Sequence, residues 1–451
     1  MVESGVTKEH FLGRTLEAYD PPVRGDPITG ERYYSKAWAR AEWQHVFSKV
    51  WHIGGLLADL EEPGDWITHN LMRDSVIMMR QDDGTIRAFF NACVHRGNRL
   101  LWSDVGHNEK ITCSYHGWQF GKDGTLLFAQ DAEDFPNGNP CGKAHLTEIA
   151  VDTWGPFVWF NMDRNAQPLH EWLAPLPEQL AGYRMETMVR VLDVRCEIPC
   201  NWKIIRDNFN ESYHLPTLHP ELASFIDDEY TDTSFEMYPS GHNRMVQKGC
   251  HPSKRLDYPD AMQPLVEDVL REWGLDPADF VDRATQARVA IQQAKRKLGP
   301  ERGFVHFESM SDSQLTDYYH YTLWPNTTIT MSPDGFQILR SEPHPTDPEK
   351  CIFDHWYMMP PVKGRHEVIT PVGPRPFKSC ERETIIYGEA TLGYVADQDM
   401  TIAVGQQQGL HSMGYKGGII SGQEKRIQRF HELLNDACGI PGELPDGRWD
   451  E

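Results

Sequence analysis

Residues 91–120 read NACVHRGNRLLWSDVGHNEKITCSYHGWQF. Cys93 and His95 have one residue between them; seventeen residues later come Cys113 and His116, with two between them. Four soft or borderline donors in two pairs can hold zinc or an iron–sulfur cluster. A zinc knuckle predicts cysteines paired with each other at C-x2-4-C spacing. Here each pair mixes one Cys with one His. That pattern suits a [2Fe–2S] cluster in which two thiolates hold one iron and two imidazoles hold the other. Neutral imidazole in place of thiolate removes negative charge and raises the reduction potential. Gly97 and Gly117 follow the two histidines within two positions, and such glycines let backbone amides approach the sulfides. The competing reading is a zinc site that staples a β-module.

Working outward, the chain from Trp51 to about Asp163 is a series of short apolar runs broken by turn signals: SVIMMR, TIRAFF, KDGTLLFA and GPFVWFNM. This predicts an all-β module with hairpins at Asp82-Asp83-Gly84 and Asp123-Gly124, and with both Cys–His pairs on loops that follow strands. Residues 36–50 before it predict an amphipathic helix. Pro168, Pro175 and Pro177 mark the exit. Beyond them VRVLDVRCEIP alternates like a strand, and a helix starts near Asn201. Residues 261–298 are polar and helical, 318–342 and 351–359 are adjacent strands, and helices cover 377–410 and 422–437. Strands with helices packed on them afterwards make an α+β layout. A chain of 451 residues is too long for one core of ordinary size, so two domains are expected.

A second cluster, Asn208-Phe209-Asn210-Glu211-Ser212-Tyr213-His214, is followed by His219. An open non-haem iron site uses two His and one carboxylate on one face. Five residues on a regular helix turn the chain about 500°, so His214 and His219 would diverge by about 140°. They converge only if the helix breaks. Pro216 predicts that break, since it lacks a backbone donor and disfavours helix at Leu215. The third ligand cannot be chosen by composition, because the chain has 66 acidic residues.

Cys93–His95 followed by Arg-Gly, and Cys113–His116 inside CSYHGWQF, resemble the Rieske domain of the ring-hydroxylating oxygenase family. The resemblance extends over roughly residues 40–435. It implies a fold in which an all-β Rieske domain, 47–164, precedes a helix-grip type catalytic domain, 165–451, with an antiparallel sheet and packed helices. Residues 1–46 become a helical segment packed on the catalytic domain. The resemblance also assigns residues. Cys93, His95, Cys113 and His116 would bind the [2Fe–2S] cluster; His214, His219 and Asp399 would bind Fe(II), with Asp397 the competitor. Glu211 would link His214 to His116 of a neighbouring subunit, and Asn208 would border the pocket. Across it, Tyr319, Tyr321, Trp324, Asn326 and Phe336 are expected. Val404 stands where many relatives carry Glu. Glu211, in N-F-N-E-S-Y-H, replaces the Asp of the longer pattern of ring-dihydroxylating relatives, which leans toward monooxygenation or dealkylation. Implied partners are O2, a ferredoxin or reductase carrying electrons from NAD(P)H, a small hydrophobic or aromatic substrate, and two further copies in a homotrimer, with or without a β subunit.

The bulk properties agree. No G-x-G-x-x-G follows a strand, so electrons must come from a separate protein. The net charge of −22 argues against nucleic acid or an anionic membrane as a partner. Nine cysteines, and a start at Met1 to Pro22 without the basic and apolar parts of a signal peptide, point to the reducing cytosol. The seven cysteines outside the cluster motif read as core or surface thiols. The expected activity is hydroxylation, with N- or O-dealkylation as a variant. Cis-dihydroxylation of a ring is the alternative, and an electron carrier or zinc-stapled binding protein is the alternative of another class.

Overall fold

The structure, a computed structural model, describes residues 8–11, 14–17 and 21–439. Most of the stretch examined for a signal peptide lies outside these residues. Trp43–Trp172 forms one compact unit, and the chain up to Glu42 together with Leu173 onward forms the other. The first of these units takes in the helical turn Trp43–Phe47 and, at its other end, the turn Leu169–Leu173 as far as Trp172.

In the first unit a seven-stranded antiparallel sheet runs in the order His52–Leu56, Phe157–Asn161, Glu148–Trp154, Ile86–Phe90, Asp74–Arg80, Asp65–Leu71, Val105–His107. The hairpin at 82–84 joins two of these strands. A smaller sheet holds Ile111–Thr112, Gln119–Phe120 and Leu126–Phe128, with the Asp123-Gly124 turn between the last two. Trp66, Ile77, Phe89, Ile111 and Phe120 form a core with Cys93 and Cys113. The two Cys–His loops follow the strands Ile86–Phe90 and Ile111–Thr112.

The second unit is built on a nine-stranded sheet. Asn243–Gly249, Tyr318–Leu323, Thr327–Ser332, Gly335–Pro343, Cys351–Met359 and Val189–Ile198 pair in that order, all antiparallel. Glu383–Ile386 adds a parallel edge against Val189–Ile198. The strands Ile226–Asp227, Ser234–Met237 and Asn243–Gly249 were not anticipated. The helix expected over 377–410 covers only Tyr394–Leu410. The run Thr384-Ile385-Ile386 is β-branched and pairs as a strand. Gly393, at φ 108°, sets the helix start. The polar 261–298 stretch is two helices, Pro264–Glu272 and Ala287–Leu298.

Asn201 caps the helix Trp202–Asn208 by accepting from the Lys203 backbone N–H. That helix is anchored to the segment before the β-module. Lys203 Nζ lies 2.6 Å from Glu42 Oε1, with both side chains at most 1% exposed, and Trp202 Nε1 donates to Glu42 Oε2. Removing one member of such a pair strands a buried charge. Lys203→Met is expected to destabilise this unit by about 3–5 kcal/mol, and Lys203→Met with Glu42→Leu to recover most of it. Chemical denaturation of the two variants checks this; equal losses in both would show that the ion pair is not the source.

Candidate metal centres

The two Cys–His loops share one backbone design. Cys93 N–H donates to Asn98 O and Cys113 N–H to Trp118 O, while Gly97 N–H returns to Cys93 O and Gly117 N–H to Cys113 O, all at 2.8–3.0 Å. Gly97 and Gly117 sit at φ 74° and 67°, a region that other residues enter only under strain. Nothing lies within 4 Å of a side chain added at either position, so backbone conformation, not space, demands glycine. Each loop turns backbone amides toward its sulfur: His95 and Arg96 toward Cys93, Tyr115 and His116 toward Cys113. Burial alone would raise the Cys113 thiol, but the amides of Tyr115 and His116, with Cys93 and Asn98, hold it below its ordinary value. The two cysteines are buried. The two histidines are half-buried, their ring centroids 4.6 Å apart, and His95 stacks on Trp118. Two adjacent thiols inside, two imidazoles outside, and a ring of amides is the donor set that a [2Fe–2S] cluster with mixed ligation requires.

In the other unit one donor atom each of His214, His219 and Asp399 lies within 4.8 Å of the others. Asp399 Oδ1 is 2.9 Å from His219 Nε2 and 3.7 Å from His214 Nε2. The convergence is not made by a proline kink in a continuing helix. The helix Trp202–Asn208 has already ended, and Pro216 lies in the first turn of a separate short helix, Leu215–Leu218. His214 is the residue before that turn and His219 the residue after it. One helical turn therefore aims both rings at a common point.

The far nitrogen of each ring is also held. His214 Nδ1 is 2.5 Å from Glu211 Oε1, and His219 Nδ1 is 2.7 Å from Gln398 Oε1. Such partners fix tautomer and orientation, leaving Nε2 for a metal. Two imidazoles and a carboxylate converging with open space beside them suit a non-haem ferrous ion. Gln398 was missed in the sequence. It neighbours Asp399 on the helix Tyr394–Leu410, so one turn of helix reaches both nitrogens of His219. Asp397 is committed elsewhere: its carboxylate accepts from Leu392 N–H and Thr391 Oγ1 ahead of the helix.

The three groups line a cavity of about 410 Å³. Asn208 and Phe209 line it, and Asn208 Nδ2 has no hydrogen-bond partner among the described residues. The expected far wall is corrected. Tyr319, Tyr321, Trp324, Asn326 and Phe336 are buried but do not line the cavity. Tyr318, His320, Thr330, Gln337 and Leu339 do. A strand alternates faces with period two, so choosing 319 and 321 selects the opposite face. There Tyr319 packs against Tyr183, and Arg244 lies over the rings of Tyr319 and Tyr321.

Comparison with known proteins gives two family matches. The Rieske [2Fe-2S] domain matches residues 50–137, and the ring hydroxylating alpha subunit (catalytic domain) matches residues 185–440. The chain is 31% identical over 236 residues to the carnitine monooxygenase oxygenase subunit of Escherichia coli, a match that spans 51% of this chain and 60% of that protein. It is 34% identical over 214 residues to the glycine betaine monooxygenase oxygenase subunit of Chromohalobacter salexigens, 47% of each chain. The matches thus span about half to three-fifths of these relatives. Among solved structures, a quaternary ammonium Rieske monooxygenase aligns with TM-score 0.65 at 20% identity, over 93% of this chain and 99% of that one. Naphthalene 1,2-dioxygenase from Rhodococcus sp. aligns with TM-score 0.61 at 16% identity, over 91% and 94%. At these identities the likeness is one of fold. With the catalytic-domain match covering more than half of its length, the chain belongs to the family of ring-hydroxylating oxygenase alpha subunits.

Proposed function

We propose that the chain is the terminal oxygenase component of a multicomponent monooxygenase. It takes electrons from a separate ferredoxin or reductase at Cys93, His95, Cys113 and His116. It converts a C–H bond of a bound substrate, with O2, two electrons and two protons, into C–OH and water. Where that carbon adjoins nitrogen or oxygen, the hydroxylated product falls apart as dealkylation. The observation that carries the reading is the triad of His214, His219 and Asp399 in the wall of a largely apolar cavity. An iron bound there supplies dioxygen activation. The residues of the chain do the rest. Glu211 and Gln398 hold the two imidazoles by their Nδ1 atoms, and the apolar lining excludes water from the reacting carbon.

The relatives favour monooxygenation over ring dihydroxylation, and their names make a quaternary ammonium compound one substrate class to test. A neutral hydrophobic or aromatic compound is the second class, favoured by the lining of Phe209, Leu215, Leu222, Ile226, Met245 and Leu339. Electron passage from His116 of one subunit through Glu211 of the next, in a trimer, completes the proposal.

Metal analysis with EPR tests it. Three irons per chain and a rhombic signal with average g below 2 on reduction are expected, and Cys113→Ser is expected to remove that signal. Two irons per chain would reduce the protein to an electron carrier, and stoichiometric zinc in a colourless protein would make it a binding module.

A further inference from the structure

The cavity is largely apolar, yet one wall carries a polar row. His320 pairs across the sheet with Thr330, and Thr330 with Gln337. His355 lies diagonally beside Gln337 on the next strand, in the register that pairs Gln337 with Tyr357 and Leu339 with His355. All four side chains line the cavity.

The hydrogen bonds along this row give it a direction. His355 Nδ1 is 2.9 Å from Leu392 O, which can only accept, so Nδ1 carries the proton. Burial pushes His355 down to about 4, so the ring is neutral and Nε2 is a bare acceptor. Nε2 lies 2.8 Å from Gln337 Oε1, a meeting of two acceptors that exchanging the amide oxygen and nitrogen turns into a hydrogen bond. A bare nitrogen needs a donor, so Gln337 turns its amide NH2 to His355 and its carbonyl oxygen away from it. His320 is neutral as well: burial, with the Arg426 charge, brings it to about 3. Its Nδ1 meets Thr330 Oγ1 at 2.8 Å, and its Nε2 has no well-aligned partner.

The second observation concerns charge. Among the described residues that line the cavity there is no lysine or arginine. The only carboxylates are Glu211 and Asp399, each engaged with a histidine of the metal site. Away from the metal group, a substrate carboxylate would find no cation in this lining and a substrate cation no free anion, and burying either charge unpaired is unfavourable. Carnitine and glycine betaine carry both charges.

We infer that the cavity selects an uncharged substrate bearing an N–H or O–H donor, which binds the carbonyl oxygen of Gln337 while His355 holds that amide in place. Gln337 is thus a positioning and specificity residue, and the inference rests on the oxygenase reading only for taking this cavity as the substrate site. A wall built to hydrogen-bond a donor rejects the analogue that lacks it, because its own polar atom is left buried and unpaired.

The test measures binding by isothermal titration calorimetry on the oxidised, iron-loaded protein without electron donor. The probes are para-alkyl acetanilides, their N-methylated counterparts, carnitine and glycine betaine. The acetanilides are expected to bind roughly ten- to a hundredfold more tightly than their N-methyl counterparts. Gln337→Met is expected to bring that ratio near one, by weakening the acetanilides and, with no amide oxygen left unpaired, by tightening the N-methyl probes. A ratio near one in the unaltered protein, an equal loss for both probes in Gln337→Met, or tighter binding of carnitine or glycine betaine than of every neutral probe overturns the inference. Product formation in the same samples after chemical reduction tests the oxygenase reading separately. Donor-selective binding without product would leave the inference standing and sink that reading.

Discussion

Asp399→Ala abolishes product formation and leaves the cluster spectrum unchanged: this is the largest single-residue effect expected of the protein. Asp399 is buried, and its Oδ1 lies 2.9 Å from His219 Nε2 and 3.7 Å from His214 Nε2. It is the only carboxylate that meets both rings on their Nε2 side among the described residues. Without it two neutral imidazoles remain, a weak site for a hard ferrous ion. A metal supplies several kcal/mol of catalytic stabilisation, so its loss removes about three decades of rate or more. The cluster donors belong to the Trp43–Trp172 unit, so EPR of the reduced variant should match that of the unaltered protein. Iron should fall from three to two per chain. Asp397→Ala is the control two residues away. It removes an acceptor for Leu392 N–H and Thr391 Oγ1, which costs about 1 kcal/mol of helix-start stability and no iron. If Asp397→Ala loses the iron and Asp399→Ala keeps it, the ligand has been misassigned.

What could be read in advance depended on whether the information was local. The cluster motif is local. Two donors within four residues, and a glycine with positive φ after each pair, are visible as spacing, and the structure gives both loops the same hydrogen bonds. His214 and His219 were visible as a pair, but the device that joins them was not. A break at Pro216 and a one-turn helix begun around Pro216 look alike in sequence, since proline favours both a helix end before it and a first turn containing it. Asp399 lies 180 residues from His219, so no periodicity or spacing could have picked it; only the resemblance did. Gln398 had no signal at all. The cavity wall failed for a different reason. Both faces of the central strands are largely covered, as the Tyr318–Leu323 strand illustrates. Hydrophobic alternation then carries no phase, and aromatic content selected the wrong one of two buried faces. The overlong helix at 377–410 has the same origin: a short edge strand that ends a nine-stranded sheet looks like helix until its parallel partner at 194–197 is known.

Glu211→Ala is expected to separate the reduction of the cluster from the use of its electrons. Within the chain both oxygens of Glu211 are occupied. Oε1 faces His214 Nδ1 at 2.5 Å, while Oε2 accepts the backbone N–H groups of Tyr213 and His214. The carboxylate thus fixes the ring and the start of the turn that carries it. Its removal leaves an imidazole N–H without an acceptor, at about 1–3 kcal/mol where buried, and weakens metal affinity by roughly 10–100-fold. Iron added in excess should therefore restore three irons per chain. Turnover should not return, because the proposed path from His116 of the neighbouring subunit to His214 runs through this carboxylate. The cluster should still be reduced by its partner at the unaltered rate. Full turnover in iron-saturated Glu211→Ala would confine Glu211 to orienting His214. Mixed oligomers test the path itself. In a trimer assembled at random from equal amounts of Cys113→Ser and His219→Ala chains, half of the sites keep a good iron, and half of those face a neighbour with a good cluster. About a quarter of the unaltered activity should return, although each variant alone is inactive. Adding Glu211→Ala to the Cys113→Ser chain, which supplies the working iron, should remove that recovery. Adding it to the His219→Ala chain, whose iron site is already dead, should leave it intact. This asymmetry separates a bridge between subunits from a role in stability, because destabilisation would act in whichever chain carried the change.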